Sequence, residues 1–190
     1  VSVVRCNSYE IEMVRQAVKA CLEPIGGLEQ FVKPGMKVLL KPNLLGAAEL
    51  DQAVTTNPAV VQVVAEMVLA AGGEVQVGDS PAGPISRNEY VWKKSGVSEA
   101  AQAAGAAVVK FEDSVWKTVG GKNYFIARPV LEADLVINLP KLKTHSLTLY
   151  TGAVKNLFGT IPGTTKTEIH VRAPGVADFS KELVNVFELV

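Results

Sequence analysis

Two lysines, a threonine and a histidine follow one apolar run in the segment Asn138-Leu139-Pro140-Lys141-Leu142-Lys143-Thr144-His145. The run, Leu135-Val136-Ile137, reads as a buried strand, so the cations begin where that strand should end. Lys141 and Lys143 are two positions apart, and in an extended segment both face one side. Paired ammonium groups beside His145 and ahead of a helix suit a phosphate or a carboxylate. His145 itself is open to three roles: general acid or base, metal ligand, or polar contact. The chain's other histidine is His170, and the two have no local metal-ligand spacing, so no metal site is assigned.

Two further polar clusters follow strand-like runs. Met36 to Leu40 leads into Lys41-Pro42-Asn43, and Glu74 to Val77 leads into Gly78-Asp79-Ser80. Lys41 is either a solvated turn lysine or one directed into a crevice, where Pro42 fixes the backbone and Asn43 donates or accepts. Asp79 can hold a metal, a ribose hydroxyl or a lysine, or form an Asx-turn with Ser80. A third stretch, Thr151 to Gly159, carries Lys155 and Asn156 beside Val154, Leu157 and Phe158, as an amphipathic helix stopped by Gly159 would. Candidate ligand-binding residues are therefore Lys41, Asn43, Asp79, Ser80, Lys141, Lys143, Thr144, His145, Lys155 and Asn156. Lys143, His145 and Asp79 are the candidates for catalysis. No Walker motif, no GxGxxG after a strand and no GxSxG is present.

The elements that must position these residues alternate between strand and helix. Ser2 to Cys6 reads as a short strand, and Asn7 with Glu10 as a capping box opening a helix on Ile11, Val14, Val18 and Leu22. Gly26-Gly27 breaks that helix. Asn57 as cap and Pro58 in the first turn open a second, with Val60, Val61, Val64, Val68 and Leu69 on its apolar face. One or two short helices are expected over Arg87 to Ala104, and a strand over Ala107 to Phe111. A small hairpin is expected near 115–127, turning through Gly120-Gly121-Lys122-Asn123. A helix over Leu149 to Phe158, a long loop from Gly159 to Gly175 and a closing helix from Asp178 to Val190 complete the chain.

Repeated βα units predict an α/β fold: a mostly parallel open sheet with helices on both faces, Rossmann-like or flavodoxin-like in three layers. In such sheets ligands bind outside the carboxyl ends of the strands, so the three polar clusters should share one edge.

Composition narrows the function classes. The 190 residues suit one α/β domain over 1–190, and the closing helix running to the last residue suggests excision from a longer chain. Hydrophobic residues make up 48% and charged residues 20%, which is globular. Lys plus Arg and Asp plus Glu number 19 each, so no global field draws nucleic acid or an anionic membrane, and neither is expected as a partner. Cys6 and Cys21 form no CxxC pair and read as buried apolar residues in a reduced compartment. No apolar run reaches the roughly 18 residues of a membrane span. A cytoplasmic setting is expected.

Five motifs stand in the order expected of one family: Lys41-Pro42-Asn43-Leu44; Thr56-Asn57-Pro58; Gly78-Asp79-Ser80-Pro81; Leu139 to His145; and Gly152 to Gly159. On these, residues 30 to 170 resemble the domain of unknown function family 362, an uncharacterised bacterial and archaeal group. Members are often joined to ferredoxin-like iron–sulfur modules. The resemblance implies such a module as a partner, but residues 1–190 hold no iron–sulfur ligand motif, and the cofactor stays unknown. Two functions follow as expectations. One is an enzyme or redox-adaptor domain binding an anionic small molecule or cofactor in a lysine-lined cleft. The other is a non-catalytic module docking a ferredoxin-like domain or another protein.

Overall fold

Strands buried on both faces read as continuous apolar runs, and Val38-Leu39-Leu40 is such a run, fully buried at the centre of the molecule. The computed structural model describes every residue but Pro84 and, of Ile85, only the backbone. In chain order the elements are α1 (Ile11–Leu22), β1 (Lys37–Pro42), α2 (Pro58–Ala70), β2 (Glu74–Asp79), α3 (Asn88–Lys94), α4 (Val97–Ala103), β3 (Ala107–Lys110), β4 (Ser114–Val119) and β5 (Lys122–Ala127). There follow α5 (Arg128–Leu131), β6 (Leu135–Leu139), β7 (Lys143–His145), β8 (Leu149–Thr151), α6 (Ala153–Asn156), α7 (Thr165–Arg172) and α8 (Val176–Phe187).

The main sheet has the order β3-β2-β1-β6, and every pairing is parallel. The pleat sends Val38 and Leu40 into a core built largely by α2 and α4, and Leu39 into a second core with Tyr124, Ile126, Phe158 and α8. The result is an α/β fold with cover on both faces. Because all four strands run the same way, Pro42, Asp79, Lys110 and Leu139 end on one edge. The chain leaves β1 in both directions across the sheet, to β2 and eventually to β6. That reversal of order is where α/β sheets open a crevice.

Local chemistry explains most boundaries. The Asn57 side chain accepts the Ala59 amide and Pro58 occupies the first turn of α2, as the sequence predicts. Val61, Val64 and Val68 of α2 are buried, whereas Leu69 lies at its exposed margin. β4 and β5 turn through Gly120-Gly121 alone, both at positive φ (56° and 70°), a two-residue turn that suits the twist of a hairpin.

Several expectations are corrected. Ser2 to Cys6 forms no strand. No side chain caps α1; instead the Ser8 hydroxyl accepts the Glu10 amide. Cys6 is exposed and Cys21 half-buried, so neither is a core residue. β6 is a half-buried edge strand, bonded on one side only. The helix expected over Leu149 to Phe158 is split: β8 pairs back on β7, Gly152 ends it, and α6 passes into a 3-10 turn over Leu157–Thr160. The middle of the expected loop from Gly159 to Gly175 is folded as α7. Among the described residues no helix is long and apolar enough to cross a membrane.

Candidate functional site

Lys41 sits on the last turn of pleat in β1 and Asp79 on the last residue of the neighbouring β2, so adjacent parallel strands bring them together. Lys41 Nζ donates to Asp79 Oδ1 at 2.7 Å and to the Pro42 carbonyl at 2.9 Å. Lys41 is 0% exposed and Asp79 4%. Asp79 has further partners: Oδ1 also accepts the Ser80 amide at 2.9 Å, and Oδ2 accepts the Leu44 amide at 2.7 Å. Burial lowers the Lys41 pKa, and the attraction of Asp79 works against that shift. Both oxygens of the Asp79 carboxylate thus have structural partners, Oδ1 two and Oδ2 one.

Gly159 makes this floor possible. A Cβ there would lie 2.3 Å from Asp79 Oδ1 and 2.8 Å from Lys41 Nζ, well inside contact distance. Without one, the 3-10 turn closes over the ion pair, and the Gly159 carbonyl accepts the Ser80 amide at 3.1 Å. Beside it, Asn156 is buried and joins the ends of β1 and β6. Its Nδ2 donates to the Lys41 and Pro42 carbonyls, each at 3.2 Å, and to Asn138 Oδ1 at 2.7 Å. Its Oδ1 accepts Asn43 Nδ2 at 2.9 Å.

Above this floor opens a cleft of about 480 Å³, within the ~300–1,000 Å³ usual for small-molecule sites. Of the residues predicted from sequence, it brings together Lys41, Asn43, Asp79, Ser80, His145, Lys155 and Asn156. Three are set apart. Lys143 lies behind the wall, where Nζ donates to Asn43 Oδ1 at 2.7 Å and to the Val54 carbonyl. Thr144 is exposed on the outer face of β7. Lys141 is half-buried against Tyr9, whose hydroxyl is 3.3 Å from its Nζ, in a separate hollow.

Sequence reasoning missed the far wall, which α7 supplies. Lys166 and His170 both line the cleft. Lys166 Nζ donates to the Ser80 carbonyl at 2.6 Å, to Ser80 Oγ at 3.0 Å and to the Pro81 carbonyl at 3.0 Å, which fastens α7 to the end of β2. Ser80 Oγ also accepts the Gly163 amide at 3.2 Å. His170 stacks on Phe179, with ring centroids 4.3 Å apart. The Lys166-Thr167 and His170 spacing on one helix face was a usable signal, had 159–175 not read as loop.

The cations dominate the field. Burial first, then the charge of Lys155, lowers the Lys143 pKa to about 8; Asp79 opposes the shift and Lys141 adds a smaller push. Burial likewise brings Lys166 down to about 8, Asp79 opposing and Lys41 and Lys155 adding to the shift. Lys155 is lowered by burial and by Lys41. His145 and His170 are both lowered, by burial first and then by Lys155. Asp79 is the one carboxylate among the described cleft-lining residues, and it is already committed. Among the described residues no cluster of three or more His, Cys, Asp or Glu could hold a metal ion.

The fold and this edge define an α/β domain with a cation-rich polar cleft at the carboxyl ends of its strands. The chain belongs to the family described as Domain of unknown function (DUF362), which matches residues 38–190. It is also similar to a thylakoid-associated protein of Synechocystis sp., with 41% identity over 175 residues, covering 91% of this chain and 54% of that protein. The chain thus spans about half the length of this curated relative. No solved structure matches it.

Proposed function

We propose that this domain binds a small molecule bearing a phosphate or carboxylate in the cleft between β1, β2, α6 and α7. One observation carries the reading: Lys155, Lys166, His145 and His170 converge on a concavity whose single carboxylate is spent on Lys41 and two backbone amides. Half-buried cations without a counter-charge are costly, and an anionic ligand offsets that cost while restoring the depressed lysines to their charged form. A docking face for a ferredoxin-like module calls for a flat exposed patch, and the cations line a concavity instead.

Inorganic phosphate titrated calorimetrically into the protein at pH 7 should bind. Lys155→Ala should weaken that binding about tenfold or more, since a charge-assisted hydrogen bond contributes roughly 1.5–3 kcal/mol. Equal affinity in the two proteins would remove Lys155 from the site, and no heat in either would remove the reading.

A further inference from the structure

Four lysines border the cleft or its floor, and they differ in what their nitrogens touch. Lys41 donates to Pro42, Asp79 and, at 3.4 Å, Asn156. Lys166 donates to three oxygens of Ser80 and Pro81. An amine making three donations is an ammonium and has no lone pair to offer. Lys143 is tied to Asn43 and Val54 behind the wall. Lys155 alone lines the cleft with no hydrogen-bond acceptor and no carboxylate acting on it among the described residues.

His145 faces the same cleft in a fixed state. Its Nδ1 accepts the Leu147 amide at 3.1 Å and the Thr148 amide at 3.2 Å. A nitrogen that accepts carries no proton, so the imidazole is neutral and its proton is on Nε2. The β7–β8 turn supplies both amides, and protonating Nδ1 would break both bonds. His145 is therefore a hydrogen-bond donor that does not act as a base through Nε2. Neutral imidazoles held this way polarise carbonyl oxygens in other active sites.

We infer that Lys155 is a nucleophilic amine and that the cleft takes an anionic aldehyde or ketone, such as a 2-oxo acid, with His145 Nε2–H donating to its carbonyl oxygen. The inference rests on the anion-binding reading and names its substrate class. The Lys155 Nζ lone pair forms a bond to the carbonyl carbon, and the carbonyl π pair moves onto oxygen, where His145 steadies it. One proton of the amine passes to that oxygen, giving a carbinolamine. The second amine proton leaves with the hydroxyl as water, giving an imine. No oxidant or reductant is consumed. Lys166, at the cleft wall, stays charged, and its field attracts the substrate's carboxylate end. Burial and the neighbouring Lys41 charge, which lower the Lys155 pKa, favour the free amine such an attack needs.

Reductive trapping tests this directly. The intact protein is incubated with glyoxylate and sodium cyanoborohydride at pH 7, and lysine modification is mapped by peptide mass spectrometry. Lys155 should acquire a carboxymethyl group several-fold faster than the exposed Lys93 and Lys117, because the cleft binds the anionic aldehyde beside its free amine. Propanal, which is neutral, should show a smaller preference for Lys155. Lys155→Arg, checked for folding by circular dichroism, should abolish the fast phase. His145→Ala should slow it, with partial recovery in His145→Gln, which restores a donor. Modification of Lys155 no faster than that of Lys93 and Lys117 would overturn the inference, and an unchanged rate in His145→Ala would overturn the role of His145. Phosphate binding measured on the same preparation separates the two ideas. Phosphate binding without trapping sinks the amine chemistry alone, and absence of phosphate binding sinks the anion reading.

Discussion

Two regions of this molecule gather cations around buried polar groups, and they resolve the charge in opposite ways. Behind the sheet, Glu182 of α8 is 0% exposed and accepts Lys122 Nζ at 2.6 Å, Arg172 Nη2 at 2.7 Å and the Tyr124 hydroxyl at 2.6 Å. Burial alone would raise its pKa, but the donations from Arg172, Lys122 and Tyr124 outweigh burial and lower it. At the cleft, Lys155, Lys166, His145 and His170 surround a space whose carboxylate is already committed elsewhere. The first cluster is complete within the chain and staples α7 and α8 to the β4–β5 hairpin. The second lacks a counter-charge within the described residues, and the proposed anion would supply it. A local excess of one charge therefore matters more here than the zero net charge of the whole chain.

The largest effect that would break this contrast is at Glu182. Glu182→Ala should cost about 3 kcal/mol of stability in urea unfolding, at the low end for a broken buried pair because Lys122 and Arg172 can reach water. It should leave phosphate affinity within about twofold, since Glu182 does not itself line the cleft. Next is Gly159→Ala, which drives a methyl group into the Lys41–Asp79 pair and should cost about 1–3 kcal/mol while weakening phosphate binding as well. Loss of both together would show that the floor supports the cleft. Lys155→Ala comes third for stability: within about 0.5 kcal/mol of the parent, or slightly more stable, because a cation repelled by Lys41 is removed.

The smallest effect is a difference in pH response. Lys143 and Lys166 sit at about 8 when folded, against the ordinary 10.5 of the unfolded chain. Between those values the unfolded chain binds more protons, so this region's contribution to stability should rise with pH from about 8 to 10.5. Lys166→Met should flatten that slope in denaturant titrations. Glu182 has the same sign in a lower window: its contribution is full above the ordinary value of 4.5 and is lost as pH falls through its lowered folded value.

The sequence made some of this contrast legible and hid the rest for physical reasons. β1 and β2 announced themselves because apolar runs end abruptly in Lys41-Pro42-Asn43 and Gly78-Asp79-Ser80, and parallel pairing then puts Lys41 beside Asp79. Asn57-Pro58 marked the start of α2 through local capping alone. The far wall was not legible: only Ile169 of α7 is buried, so the helix lacks an apolar stripe and its stretch reads as loop. The β7–β8 hairpin was missed because Leu149 adopts a positive φ of 66°, which the side chain itself does not favour and which pairing with His145 sustains. Lys141 and Lys143 do alternate with exposed Leu142 and Thr144, as predicted, yet Tyr9 and Asn43 draw their ends away from the cleft.

The most direct test of the central claim is calorimetric titration with sulfate, whose charge is constant across the range, from pH 6.5 to 9.5. Charged lysines in the cleft predict binding near pH 7 that weakens steadily as pH passes about 8, where Lys166 loses its proton. Sulfate that fails to bind at pH 7, or binds equally at every pH, would contradict the account.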